Sequence, residues 1–339
     1  MPDVLKKLDV LKKLIWPLAA LVLLLAFNAV ANRDFFRLES KAGKLTGATI
    51  DVLQNSAPTM IVALGMTLVI ATGGVDLSVG AMMAVAGSVA VLLLAKYGTP
   101  LGVAILAAVG VCLVAGFWNG LLVAFVKVQP IVATLILMVA GRGVAQLLTD
   151  GQIVNVRDNA AFEYIDGGAL LGLPLPIWIA AAMFAALGAL TRLTALGLFI
   201  EAVGGNETAS RYAGLSVPPI RLTVYTLSGL CAAVAGLIVA SDIKAADASN
   251  AGSYMELDAI LAVVIGGTSL TGGRFLLCGS ILGAVIIQTL TTTILMTQLG
   301  GQSIPPEYNL IVKGGVVLLV CLLQSPSFRS RLLRRRGGG

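Results

Sequence analysis

Asp76 is the residue in this chain whose type and setting most invite chemistry. It stands in Thr72-Gly73-Gly74-Val75-Asp76-Leu77-Ser78-Val79-Gly80, between two apolar segments. A charged group at membrane depth is a functional candidate by default. Two roles stay open for it. Asp76 or Ser78 can satisfy free N–H groups where the next helix opens, or the charge can touch a substrate or an ion. Other polar residues near or inside apolar stretches are Asn55, Thr72, Asn119, Gln129, Thr134, Arg142, Gln146, Asp258 and Gln288. Such hydroxyl, amide and ionic groups suit a sugar, whose hydroxyls both donate and accept. They serve equally well as hydrogen-bonding glue between helices.

Other chemistries are missing their residues. The chain has no histidine, which removes imidazole catalysis, imidazole metal ligands and imidazole pH switching together. Cys112, Cys231, Cys278 and Cys321 are far apart, each in an apolar stretch, with no CxxC pair. They read as small buried hydrophobes, so neither a disulfide framework nor a metal site is expected. No GxxxxGK[ST] loop occurs; the nearest imitation, Gly266 to Arg274, has glycines but no lysine. The expectation is therefore no enzyme activity and no cofactor, with any ATP bound by another chain.

These residues must be positioned by elements of an unusual composition. Of 339 residues, 58% are hydrophobic and 12% charged, against about 25% charged in a soluble domain. A polar coat cannot be made from so few charges. The expected fold class is all-α, a polytopic integral membrane protein of about ten transmembrane helices. The apolar segments run from Leu14 to Ala31 and over roughly 50–71, 77–95, 101–126, 128–148, 173–191, 219–241, 257–269, 275–297 and 307–324. The stretch 257–269 is short for a full crossing. Ala29-Val30-Ala31 has the small residues of a signal-peptidase site, but the many later spans favour an uncleaved first helix.

Lys and Arg cluster at both ends: Lys6, Lys7, Lys12 and Lys13 in a basic tail over 1–13, and five arginines in another over 325–339. Both termini are then expected in the cytoplasm, which an even number of crossings allows. The acidic loops 150–172 and 242–256 fall outside and the connection 192–218 inside. The net charge of +6 is a topology signal, and no nucleic acid is expected as a partner. Among the 39 glycines, Gly116 and Gly120, Gly279 and Gly283, and the small pair Gly236 and Ala240 have the spacing that lets helix backbones approach closely.

Two further patterns concern organisation. Gly73–Gly80 is echoed by Gly266–Gly273 at the two opening glycines, the leucine and the final glycine, so an internal repeat is possible and would be parallel. In the connection 192–218, the start Glu201-Ala202-Val203-Gly204 and Gly214, thirteen residues after Glu201, predict a short helix with glycine at the ends, a shape suited to docking a motor, and Gly204-Gly205 permits close backbone approach to a partner. An ordinary amphipathic connector would look the same.

Together, Gly73–Gly80, Asn119-Gly120, the run 129–151 and the loop 197–217 resemble the permease subunits of bacterial ABC importers for monosaccharides, the ribose-type permease family. The most specific stretches are 67–80 and 257–270, and the likeness, which leans to the galactofuranose branch, covers about residues 50–325. The resemblance implies a single transmembrane permease domain over 1–339 in the bacterial inner membrane. It also implies a second permease subunit beside it, identical or a sister chain. An ABC ATPase would dock on one side, and a periplasmic sugar-binding protein would deliver sugar on the other. The family's coupling segment maps onto Glu201, Ala202, Gly204, Gly205, Asn206, Ala209 and Gly214. Relatives often differ at Gly204-Gly205-Asn206-Glu207, so the likeness places the docking better than it details it. The rival reading is a secondary transporter driven by an ion gradient through Asp76 or Asp258.

Overall fold

Apolar runs in an apolar solvent must satisfy their backbone groups internally, and helices do so within one segment. The computed structural model describes residues 2–32, 35–41, 43–156, 159–299, 302–303, 308 and 310–315. In chain order its helices are α1 (Pro2–Ala31), α2 (Ala48–Ala71), α3 (Val79–Ala95), α4 (Leu101–Ala124), α5 (Pro130–Leu148) and α6 (Ala160–Gly167). They continue as α7 (Leu175–Leu193), α8 (Leu196–Gly205), α9 (Glu207–Tyr212), α10 (Val217–Asp242), α11 (Met255–Ile265) and α12 (Leu277–Met296). Among the described residues, seven (α1, α2, α4, α5, α7, α10 and α12) are long and apolar enough to cross a membrane. The apolar α3 is shorter, at 17 residues. Most of the expected segment 307–324, and all of the basic tail 325–339, lie outside the described residues. The strands are antiparallel pairs of two or three residues in the connections, such as Val154–Asn155 against Ala245–Ala246.

The centre of the bundle is α2, whose most apolar window is 83% buried, with α10 beside it. On α4, α5 and α7 the corresponding figure is 22%, so these present apolar faces outward. The small-residue pairs expected from sequence all lie in helix crossings. A side chain on Gly116 would run into Tyr225 O and Gly229 of α10, and one on Gly120 into Leu222. Gly236 sits against the Met83 backbone of α3, and the methyl of Ala240 against Gly87. Gly279 and Gly283 of α12 lie against the backbones of Gly266 and of Ala262 in α11.

Two apolar helices begin part-way along the bundle. The 11 residues of α11 rise only about 16 Å, and Met255 at its start meets Thr59, half-way along α2. The preceding residues make up the rest of the path: Ala246 packs with Val91 and Leu94, and Ala248 with Ala84 and Val85. The chain thus descends alongside α3 before α11 begins. α3 starts late as well, after the non-helical stretch that carries Asp76. The two helix starts meet where Gly80 and Gly252 touch backbone to backbone.

Candidate functional site

Three polar sites emerge, two within the bundle and one at its end. At the first, Asp76 is fully buried. Its Oδ1 accepts the backbone N–H of Ser78 at 3.0 Å and the Ser78 hydroxyl at 2.5 Å, while Oδ2 accepts the hydroxyl of Ser228 in α10 at 2.7 Å. This is an Asx turn leading into α3. It differs from a helix cap in that the acceptor takes the N–H of the residue before the helix, not one inside its first turn. Asn119 of α4 donates to Ser78 Oγ at 2.9 Å. Thr134 of α5 and Tyr225 of α10 both reach toward Val75 O, at 3.4 Å each. The turn is thus held by α4, α5 and α10 together, and the Asp76 carboxylate has hydroxyl and amide partners and no cationic one among the described residues. Asn119 Oδ1 and Ser88 Oγ are buried without a partner among the described residues.

The second site is a pocket further along α5, with Ala81, Met138 and Val139 as apolar lining and Arg142, Gln146 and Glu256 as polar lining. Arg142 Nη1 donates to Ala248 O at 3.0 Å and Ala251 O at 2.7 Å, pinning the descending chain before α11. Gln146 leans toward the Ser249 hydroxyl at 3.5 Å.

The third is the end of the bundle carrying α8 and α9. α2 and α11 both stop there in the same hydrogen-bonded turn. Gly74 N–H reaches Val69 O and Gly73 N–H reaches Ile70 O; Thr268 reaches Val263 and Gly267 reaches Val264 in the same way. Gly73 and Gly267 have φ of 81° and 86°, the left-handed conformation that favours glycine. Gly273 N–H also donates to Ala71 O at 2.9 Å, joining the end of α2 to the loop that follows the second turn. Gly204 of α8 is wedged onto this joint: a Cβ there would lie 1.7 Å from Ala71 O and 2.5 Å from Gly273 N. Asn206 ends α8 and opens α9, its side chain accepting the Ala209 N–H at 2.9 Å. Gly214, at φ 85°, terminates α9. Glu207 accepts from Arg211 at 2.5 Å and from Arg221 of α10 at 2.6 Å. Burial pushes the Glu207 carboxyl up, but Arg221 and then Arg211 outweigh it and hold it below the ordinary carboxylate range.

This architecture is matched by a family model described as a branched-chain amino acid transport system permease component, over residues 48–321. The chain belongs to that permease family. It is similar to the galactofuranose transporter permease protein of Escherichia coli K12, 51% identical over 93% of this chain and 92% of the relative. It is 41% identical to the fructose import permease protein of Bifidobacterium longum, over 94% of this chain and 89% of that one. Against the ribose import permease protein of Escherichia coli K12 it is 38% identical, over 91% and 92% respectively. The family expected from residues 67–80 and 257–270 is therefore the one found, and it is a family of transporter components, not enzymes.

Within the permease, the residues singled out in the sequence separate into groups. Asp76, Ser78, Asn119 and Thr134 come together, and Arg142 and Gln146 share the pocket. Thr72 is buried and bonded to Val69 O at the end of α2. Asn55 and Gln129 are exposed, Gln288 is half-buried on α12, and Asp258 pairs with Lys313 at 2.7 Å. Glu201 does not open a helix, as its surroundings in the sequence imply; α8 begins at Leu196, its first N–H taken by the Thr194 hydroxyl. Glu201 instead lines a surface pocket with Arg192, Thr191 and Phe275. The close approach expected of Gly204-Gly205 toward a partner is made by Gly204 within the chain, while Gly205 faces open space. Ser228, Glu256 and Arg221 were not foreseen. The one signal pointing to Glu256 is its place at the start of an apolar segment too short to cross.

Proposed function

We propose that this permease forms the sugar path of an ABC importer for a monosaccharide of the galactofuranose, fructose or ribose kind, working beside a second permease subunit. ATP is hydrolysed by a separate ATPase subunit, and a periplasmic binding protein presents the sugar. Sugar is favoured over branched-chain amino acids because the three relatives above, each covered along most of its length, are named for sugars. The observation that carries the mechanism is the seat of α8. Gly204 rests on the joint between the end of α2, which leads into α3, and the loop that joins α11 to α12. A push on α8–α9 by the motor therefore reaches α3 and α11 at once.

The arrangement we favour has ten crossings in the bacterial inner membrane, both termini and 192–218 cytoplasmic, and one transmembrane domain over 1–339. α11 with the turns that lead into it makes one crossing, and segment 307–324 makes the last. The parallel repeat reduces to the two turns at Gly73 and Gly267. These match one residue out of step with the sequence echo, which pairs Gly73 with Gly266.

The test is uptake by proteoliposomes holding permease, ATPase and binding protein. Labelled sugar is expected to accumulate only with ATP inside, and to go on accumulating when an ionophore collapses ion gradients. Uptake abolished by the ionophore with ATP still present would favour the ion-coupled alternative.

A further inference from the structure

Glu256 is 9% exposed, and what access it keeps is into the pocket beside α5. Its carboxylate receives no side-chain donor among the described residues; the hydrogen bond it has is from its own backbone N–H. Across the pocket, Arg142 spends Nη1 on Ala248 O and Ala251 O, leaving Nη2 and Nε, which can still donate. Both residues line the same pocket, and no ion pair joins them among the described residues. A buried carboxylate and a guanidinium held apart, each with unused capacity, leave a gap that a neutral diol fills. One hydroxyl accepts from Arg142 and the next donates to Glu256, with Gln146 beside them and Met138 and Val139 against the ring carbons. The gap lies where α3 and α11 begin, since Gly80 in the first turn of α3 touches Gly252 and Glu256 in the first turn of α11. Movement of either helix would open or close it.

On this basis, and resting on the sugar-import reading above, we infer that Arg142, Glu256 and Gln146 form a hydroxyl-recognising subsite for the transported sugar, with Glu256 as its acceptor. A branched-chain amino acid is the competing occupant, because its carboxylate and ammonium would meet the same pair.

The test uses the complete importer in proteoliposomes, with tritiated ribose, fructose, galactose and leucine as probes. If only leucine enters the parent, both the sugar reading and this subsite fall. If a sugar enters, its single-deoxy analogues are compared in the parent and in Glu256→Gln. The subsite predicts that Vmax/KM for the parent sugar falls about tenfold or more in the variant, as for loss of a hydrogen bond to a charged group. The analogue lacking the recognised hydroxyl should change less than about twofold, closing the gap between the two. The binding protein's own selectivity cancels, being common to both importers. An equal loss for the sugar and every analogue, or no loss at all, overturns the subsite while leaving sugar import intact. Glu256→Asp, which keeps the charge and withdraws it by one methylene, replaces the Gln variant if that fails to assemble, and should give the same selective loss.

Discussion

At the scale of single residues, the Asp76 carboxylate joins three helices. It accepts two bonds from Ser78 and one from Ser228, and Ser78 in turn accepts from Asn119 of α4. Every partner of the carboxylate is a donor, and the Ser228 hydroxyl is the one able to reverse. In Asp76→Asn the side-chain oxygen can keep the Oδ1 role while the new NH2 donates to Ser228 Oγ. Assembly and most transport should therefore survive. Asp76→Ala leaves two buried hydroxyls and an N–H without their acceptor, at about 1–3 kcal/mol for each group, and should lower the unfolding temperature in detergent and abolish transport. Loss of transport in Asp76→Asn with an unchanged melting temperature would return the charge to a transport role. Asp76, Ser78 and Asn119 were legible in the sequence because a polar side chain inside an apolar run is conspicuous. Ser228 was not, because a serine in a membrane helix commonly bonds its own backbone, and its spacing says nothing of a partner 152 residues away.

At the scale of elements, α8 and α9 are fixed at two points, Gly204 on the joint between α2 and the α11–α12 loop, and Glu207 on Arg221. Gly204→Ala places a methyl into the Ala71 carbonyl and the Gly273 amide, both backbone. The packing should lose about 1–3 kcal/mol, read as a lower melting temperature together with weakened coupling of ATP hydrolysis to uptake. The second anchor is weaker. Glu207 is one-third exposed, so solvent screens the pair and Glu207→Gln should cost no more than about 1 kcal/mol. Its pH dependence has a definite sign. A carboxyl held below its ordinary value stabilises at neutral pH, and that contribution is lost as the pH falls through its folded-state value. Parent and Glu207→Gln should differ in melting temperature near pH 7, and the gap should close only as the pH falls through the folded-state value, which lies below the ordinary glutamate value of about 4.3; a gap that persists in strong acid would mean that the ion pair is not its source. The short segment 257–269 was legible as anomalous, since its apolar run is too brief to cross. That the residues before it descend beside α3 as a series of turns was not legible, because 242–256 carries the polar residues of an ordinary loop.

At the scale of the whole molecule, the sequence-level topology and the seat of α8 lead to one linked prediction. On the proposed topology, Lys and Arg at both termini and acidic residues in 150–172 would put α8 and α9 on the side where ATP is available. A reporter inserted within 202–212 should behave as cytoplasmic, and one within 155–165 as periplasmic; the reverse would detach α8 from any motor. Given that orientation, Gly205 distinguishes docking from packing. It is exposed, next to the wedged Gly204, and nothing lies within 4 Å of where a side chain would begin. Its φ is not in the left-handed region, so a leucine is sterically admissible there, and an exposed substitution of this kind changes stability by about 0.5 kcal/mol at most. Gly205→Leu should then insert, fold and melt like the parent. A leucine projecting from the end of α8 stands where an ATPase would seat, so the variant should lose ATPase on co-purification, or keep it and hydrolyse ATP without importing sugar. Parent-like association and uptake in Gly205→Leu would make 192–218 a plain connector and move the motor's contact to another surface.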